Sequence, residues 1–151
     1  MRTGRPQKAG IIRWNLLDGW PQMTEAVVDY YFNKKLAYGY IKRSQAPFAI
    51  IADEVSDRKV KIYACNDTLE AKSGEFTVKD GGSGGVLLTS RFSVKENSAV
   101  VIANIPVYCS DYKMPIFEWQ TEKERGFNHH LCAYPPISLE KYKEFLKQYI
   151  F

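Results

Sequence analysis

The sequence predicts a mainly-β chain: a sandwich of about seven short strands, with an N-terminal strand–helix arm before it and a C-terminal helix after it. Three observations carry that prediction. From Phe48 onward, short apolar segments recur at regular intervals, separated by Gly, Asn, Asp and Ser. Several of these segments alternate apolar and polar residues, the period of two of a half-buried strand. The texture before Ala46-Pro47 is different, one unbroken apolar run followed by helical spacing, and Pro47 forces the residue before it toward extended geometry.

The N-terminal arm is read first. Gly10 to Leu17, "GIIRWNLL", is a nearly continuous apolar run that ends in the turn signal "DGWP". Such a run suits a strand covered on both faces better than one half exposed to water. Thr24 can cap a helix, with Glu25 near its positive end, and Ala26, Val27, Tyr30 and Tyr31 recur at helical spacing. Lys34 to Arg43 continues as a second helical piece, with Leu36, Ala37, Tyr40 and Ile41 on one face and two basic residues at its end. Residues 1–46 are therefore one region and 47–151 another.

The strand candidates of the second region are "FAIIAD", "KVKIYACN", "SGEFTVKD", "GVLLTSRFSV", "AVVIANIPVY", "PIFEWQTE" and "FNHHLCAY". Asn66-Asp67, Asp80 to Gly85 and Glu96-Asn97 supply turns between them. Seven strands in roughly a hundred residues is the strand count of an immunoglobulin-like sandwich. The last helix is capped by Ser138, carries Glu140 in its first turn, and has Leu139, Tyr142, Phe145, Leu146, Tyr149 and Ile150 as an apolar stripe to dock on the sandwich.

Composition narrows the function classes. The chain of 151 residues is 45% hydrophobic and 25% charged, ordinary globular values, with a net charge of +4. Lys and Arg alternate with Asp and Glu, a solvated face in place of the clustered basic stripe of a nucleic-acid binder, so no nucleic-acid partner is expected. No segment approaches the length of an apolar membrane helix, so no membrane partner is expected either. The polar run Arg2 to Lys8 is not a secretory leader. Cys65, Cys109 and Cys132 are odd in number, widely spaced and without a CxxC pair, which argues against a disulfide framework and a zinc ribbon.

Catalytic patterns are sparse. His130 and Cys132 share a strand face and could begin a metal site, but no third ligand stands at a recognisable spacing, and no metal or cofactor is expected. Gly81 to Gly85 lacks the following Lys-Ser/Thr of a phosphate loop, and "GGSGG" lacks the strand and helix of a nucleophile elbow.

The stretch "GIIRWNLLDGWPQMTEAVVDYYFNKKLAYGYIKRSQAP" resembles the end of the catalytic barrel of glycoside hydrolase family 2, particularly its β-mannosidase-like members. The segments "VKIYACNDTLEAKSGEFTVKD" and "FNHHLCAYPP" resemble the sandwich domain that follows the barrel in that family. The resemblance implies that residues 1–46 are a remnant of the last strand and helix of a (β/α)8 barrel. It matches Trp14 to a tryptophan that walls the sugar site of a complete barrel, and Asn15, Asp18 and Trp20 to the same segment, chiefly as loop structure. Arg13 departs from the pattern, where an aromatic or aliphatic residue is common; an arginine there would be costly to bury unpaired. Retaining hydrolysis needs two carboxyl groups about 5–5.5 Å apart, and the resemblance places both N-terminal to Met1. The chain alone is thus expected to be a non-catalytic accessory fragment of a retaining β-glycosidase.

Two alternatives stand beside that reading. A carbohydrate-binding sandwich would present Tyr112, Phe117, Trp119 and Tyr134 as an exposed aromatic platform, and would lose its case if they point into the core; carbohydrate is then a weak partner at most. An interaction module would use the apolar strand of the arm, pairing copies of the chain through residues 10–46.

Overall fold

The computed structural model describes residues 2–4, 12–23, 25–108, 113–132 and 138–146. The chain divides into two compact units, Met1–Pro47 and Phe48–Phe151.

The second unit is a β-sandwich, and all seven predicted strands are present. They are β1 Phe48–Ala52, β2 Lys59–Asn66, β3 Lys72–Asp80, β4 Val86–Val94, β5 Ser98–Pro106, β6 Pro115–Thr121 and β7 Arg125–His129. Two antiparallel sheets result, one ordered β1-β2-β5 and the other β4-β3-β6-β7. The fourth strand lies on the four-stranded sheet beside β3, which differs from the constant-type immunoglobulin arrangement, where it joins the sheet of the first strand. The β1–β2 hairpin turns on Asp57 and Arg58, both at positive φ, the primed geometry that matches strand twist.

The period of two builds the core. Phe48, Ile50, Ile62 and Ala64 face inward from the three-stranded sheet, and Phe76, Val78, Phe92, Val94, Phe117 and Trp119 face them from the other. Phe48 stacks on Phe92 at 5.4 Å between ring centroids and meets Trp119 edge-on at 6.0 Å. Fully burying each such side chain is worth about 1.5–3 kcal/mol.

Asn66, at the end of β2, is a polar residue with no solvent exposure. Its Nδ2 donates to Glu70 O at 2.8 Å and to Lys95 O at 3.0 Å. Its Oδ1 accepts the Thr68 N–H at 3.1 Å and the Thr68 hydroxyl at 2.7 Å. All four positions of the amide are used. A last helix, α2 Leu139–Leu146, follows the strands, and Tyr142 on it reaches the buried His129 of β7 at 3.4 Å. Tyr149 and Ile150 of the expected stripe lie outside the described residues, as do the side chains of Phe145 and Leu146.

The first unit departs from expectation. Its second helical piece forms as α1 Leu36–Ser44, whose last carbonyls accept the Arg2 guanidinium: Nη1 donates to Ser44 O at 3.1 Å and Ala46 O at 2.8 Å. The helix expected from Thr24 does not form among the described residues, and Thr24 itself lies outside them. Val28 instead bridges Leu17 in parallel and Lys34 antiparallel. The cause is local. Val27 and Val28 are β-branched, and the Asp29 carboxylate offers the backbone other partners, accepting the Tyr31 N–H at 2.9 Å and the Asn33 N–H at 2.8 Å. This turn holds Phe32 at φ 65°.

The strand expected over Gly10 to Leu17 is also absent from the described residues 12–17, apart from the bridge at Leu17. Gly10 and Ile11 lie outside them. An apolar run written for cover on two faces has one bridged residue here, and Ile12, Trp14 and Leu16 stand exposed. Arg13 is exposed as well and donates to Glu25 O at 3.4 Å, so the burial cost anticipated for it does not arise.

Candidate functional site

Two places gather polar and aromatic side chains, one in each unit. In the first, the carboxylate of Asp18 is buried, and it is fully partnered. Lys35 Nζ donates to Oδ2 at 2.7 Å and Gln22 Nε2 to Oδ1 at 2.9 Å. The Lys35 hydrogen bond holds this carboxyl below the usual carboxylate range, against burial, which would raise it, and with help from Gln22. Asp18 is a charged clasp with no proton to give. Its own N–H donates to Val28 O at 3.1 Å, and Val28 N donates to Leu16 O at 2.9 Å, so the clasp fixes the loop that carries Trp14 and Trp20. Those indoles are 75% and 65% exposed. Beside them Pro21, Gln22, Met23, Asp29, Tyr30 and Tyr31 line a small hollow of about 300 Å³.

In the sandwich, Phe117 and Trp119 are packed into the core, which corrects the expectation that they belong to an exposed aromatic platform. The strand was read rightly, but its phase turns Phe117 and Trp119 inward and Glu118 and Gln120 outward. Tyr112 and Tyr134, the other two platform candidates, lie outside the described residues.

The outward phase creates a groove that the sequence reading missed. Register places Thr77, Glu118 and Phe127 side by side across β3, β6 and β7, and Glu75, Gln120 and Arg125 in the next row. Neighbours in such a row have Cβ atoms about 4.5–5.5 Å apart. Together with Glu122 and the edges of Trp119 and Gly126, they line an open cavity of about 1000 Å³. Glu118 accepts Lys79 Nζ at 2.6 Å. Gly126 is required here: a Cβ at that position would stand 2.3 Å from Trp119 Cζ2. The signal that could have found the groove was the alternation itself, "FEWQ" on β6 against "RGFN" on β7.

The remaining candidates are structural. Burial pushes the Cys132 thiol up to about 11, only partly offset by Lys113, so it is a poor nucleophile. Burial likewise lowers His130, against the pull of Asp53 and Glu54. Cys65 is buried, and Cys109 lies outside the described residues. Among the described residues no group of three His, Cys, Asp or Glu is placed to hold a metal ion, and no helix is long and apolar enough to cross a membrane.

No family model matches the sequence. The chain is 29% identical to β-mannosidase B of Thermothelomyces thermophilus, over 69% of this chain and 15% of that protein. It is similar to part of a β-mannosidase. The fold agrees: the crystal structure of β-D-mannosidase from Dictyoglomus thermophilum superposes with a TM-score of 0.69 at 21% identity, over 87% of this chain and 17% of that one. A β-glucuronidase from Parabacteroides merdae superposes with a TM-score of only 0.36, at 11% identity over 57% of this chain and 13% of that one, and carries no weight. The first two matches bear out the resemblance read from "RWNLLDGWP" and the sandwich segments. The chain spans about 15% of the length of the curated relative.

Proposed function

We propose that this chain is a non-catalytic accessory portion of a β-mannosidase-like glycoside hydrolase, serving carbohydrate breakdown only as part of a larger enzyme. The observation that carries this reading is the similarity to a β-mannosidase, over 69% of this chain and only 15% of the relative. The sandwich would buttress the catalytic part. Trp14, on a loop clasped by Asp18 and Lys35, presents the bare indole face that an apolar wall beside a sugar requires.

The acidic side chains support the non-catalytic half of the reading. Retaining hydrolysis needs a carboxylate nucleophile beside a carboxyl group kept protonated by its surroundings. Asp18 is held charged by Lys35, Asp29 is spent on its own turn, and Glu118 is neutralised by Lys79 on a solvated sheet face. The test is hydrolysis of an aryl β-mannoside by the purified chain. No turnover is expected; turnover abolished by Glu118→Gln or Glu75→Gln would overturn the proposal.

One observation favours self-association as a second property of the isolated chain. Ile12, Met23 and Phe32 in the first unit are 97%, 95% and 76% exposed, as bare as side chains in an unfolded peptide. Residues 10–46 are then the contact surface between copies.

A further inference from the structure

The outer face of β3, β6 and β7 is built unlike a merely solvated sheet. It carries an open, shallow hollow of about 1000 Å³. Its lining combines one partly exposed ring, Phe127 at 38%, with side chains that end in planar polar groups: Glu75, Glu118, Gln120 and Arg125. Among the described residues the side chains of Glu75, Gln120 and Arg125 have no hydrogen-bond or ion-pair partner within the protein, although strand register sets them shoulder to shoulder. Glu118 is engaged by Lys79, which fixes one carboxylate oxygen, and Thr77 Oγ1 lies 3.2 Å from Thr89 Oγ1.

These groups select a ligand by chemistry. A carboxylate accepts from two neighbouring hydroxyls, an amide both donates and accepts, and a guanidinium donates as a fork. An array of this kind reads a surface of vicinal hydroxyl groups. The charges cancel: Glu75, Glu118 and Glu122 stand against Arg125, Lys79 and Arg91, which faces Glu75 from β4. A face without net charge has no pull on phosphates or uronates and leaves neutral polyols. Phe127 supplies the apolar patch on which the C–H face of a pyranose can lie.

We infer that this groove is a binding site for a short neutral β-linked oligosaccharide, lying along the row Thr77–Glu118–Phe127 and hydrogen-bonded by Glu75, Gln120 and Arg125. The choice of a β-mannoside as its sugar rests on the similarity to β-mannosidases. The aromatic platform first expected on this strand is thereby replaced by a polar one on its opposite face.

The experiment is a titration of the full chain with β-1,4-mannotriose, followed by amide shifts in nuclear magnetic resonance. Saturable shifts confined to residues of β3, β6 and β7, with a Kd on the order of 1 mM, are expected. Phe127→Ala and Glu75→Gln, both at exposed positions, should each weaken binding at least about fivefold, while Val55→Ser in the β1–β2 loop should leave it unchanged. Absence of shifts up to about 10 mM overturns the site and leaves the accessory-module proposal standing, since that is judged by hydrolysis. Binding that survives both groove substitutions also overturns the site, because the sugar then sits elsewhere. Thermal melts of each variant identify any loss that comes from unfolding.

Discussion

Gly126→Ala tests whether the core and the groove are joined as described. The added methyl would meet Trp119 Cζ2 at 2.3 Å, Cε2 at 2.5 Å and Nε1 at 2.9 Å, where ordinary contact begins at 3.4 Å. The indole must therefore retreat by about 1 Å into a core packed at crystal density. It is not free to do so, being wedged edge-on against Phe48 and 9% exposed. Overpacking of this kind costs about 1–3 kcal/mol, offset by about 0.4–1 kcal/mol because alanine restricts the unfolded chain more than glycine. The net loss is about 1.5 kcal/mol, which for a domain of this size lowers Tm by roughly 7 °C. Circular dichroism melts of the whole chain measure it. The double variant with Trp119→Phe, whose smaller ring vacates the contested volume, should be more stable than the sum of the two single changes by about 1 kcal/mol. A Gly126→Ala chain as stable as the parent, or strict additivity with Trp119→Phe, would refute the reasoning.

Lys35→Met should raise the Asp18 titration, since the lysine hydrogen bond is the main cause of its depression. A depressed carboxyl stabilises the folded chain above its unfolded pKa of about 3.9, and that contribution is lost as pH falls through the lower folded value. Exchange protection of the Asp18 and Val28 amides should therefore persist at neutral pH and collapse below about pH 4 in the parent. In the variant the collapse should begin at a higher pH, and unchanged curves would sink the clasp. For association, light scattering should show oligomers of the isolated chain that recede when Trp14 and Trp20 are changed to Ser; a monomer at high concentration, before any substitution, removes residues 10–46 as a contact surface.

The sandwich was legible because period two survives in a single sequence. Val60, Ile62 and Ala64 announced both a strand and its buried face, and the structure agrees. β6 shows the limit. Nearly every residue of "PIFEWQT" is large, so the aromatic residues suggested an exposed platform, while the true outward face was carried by the less conspicuous Glu118 and Gln120. In the first unit, Ala26, Val27, Tyr30 and Tyr31 fit helical spacing, yet a single aspartate at position 29 diverted the backbone into a turn. Side chains competing for main-chain donors leave no periodic trace, and neither does the pairing of Asp18 with Lys35, seventeen residues apart. The groove depends on register between β3, β6 and β7, which pattern within one strand does not specify.

The satisfied amide of Asn66 makes the two ends of the sandwich unequal. At its end, one side chain makes three bonds within the β2–β3 connection and a fourth to Lys95, 29 residues away, so lengthening that connection would put all of them at risk. At the opposite end, Asp80 closes the glycine-rich hairpin largely upon itself, through Gly82 N, Ser83 N and Gly84 N, and Ser83 and Gly84 are exposed. A foreign segment spliced between Ser83 and Gly84 disturbs only that hairpin. Architectural variation in such a module, whether natural drift or deliberate grafting, is thereby channelled to one pole of the molecule.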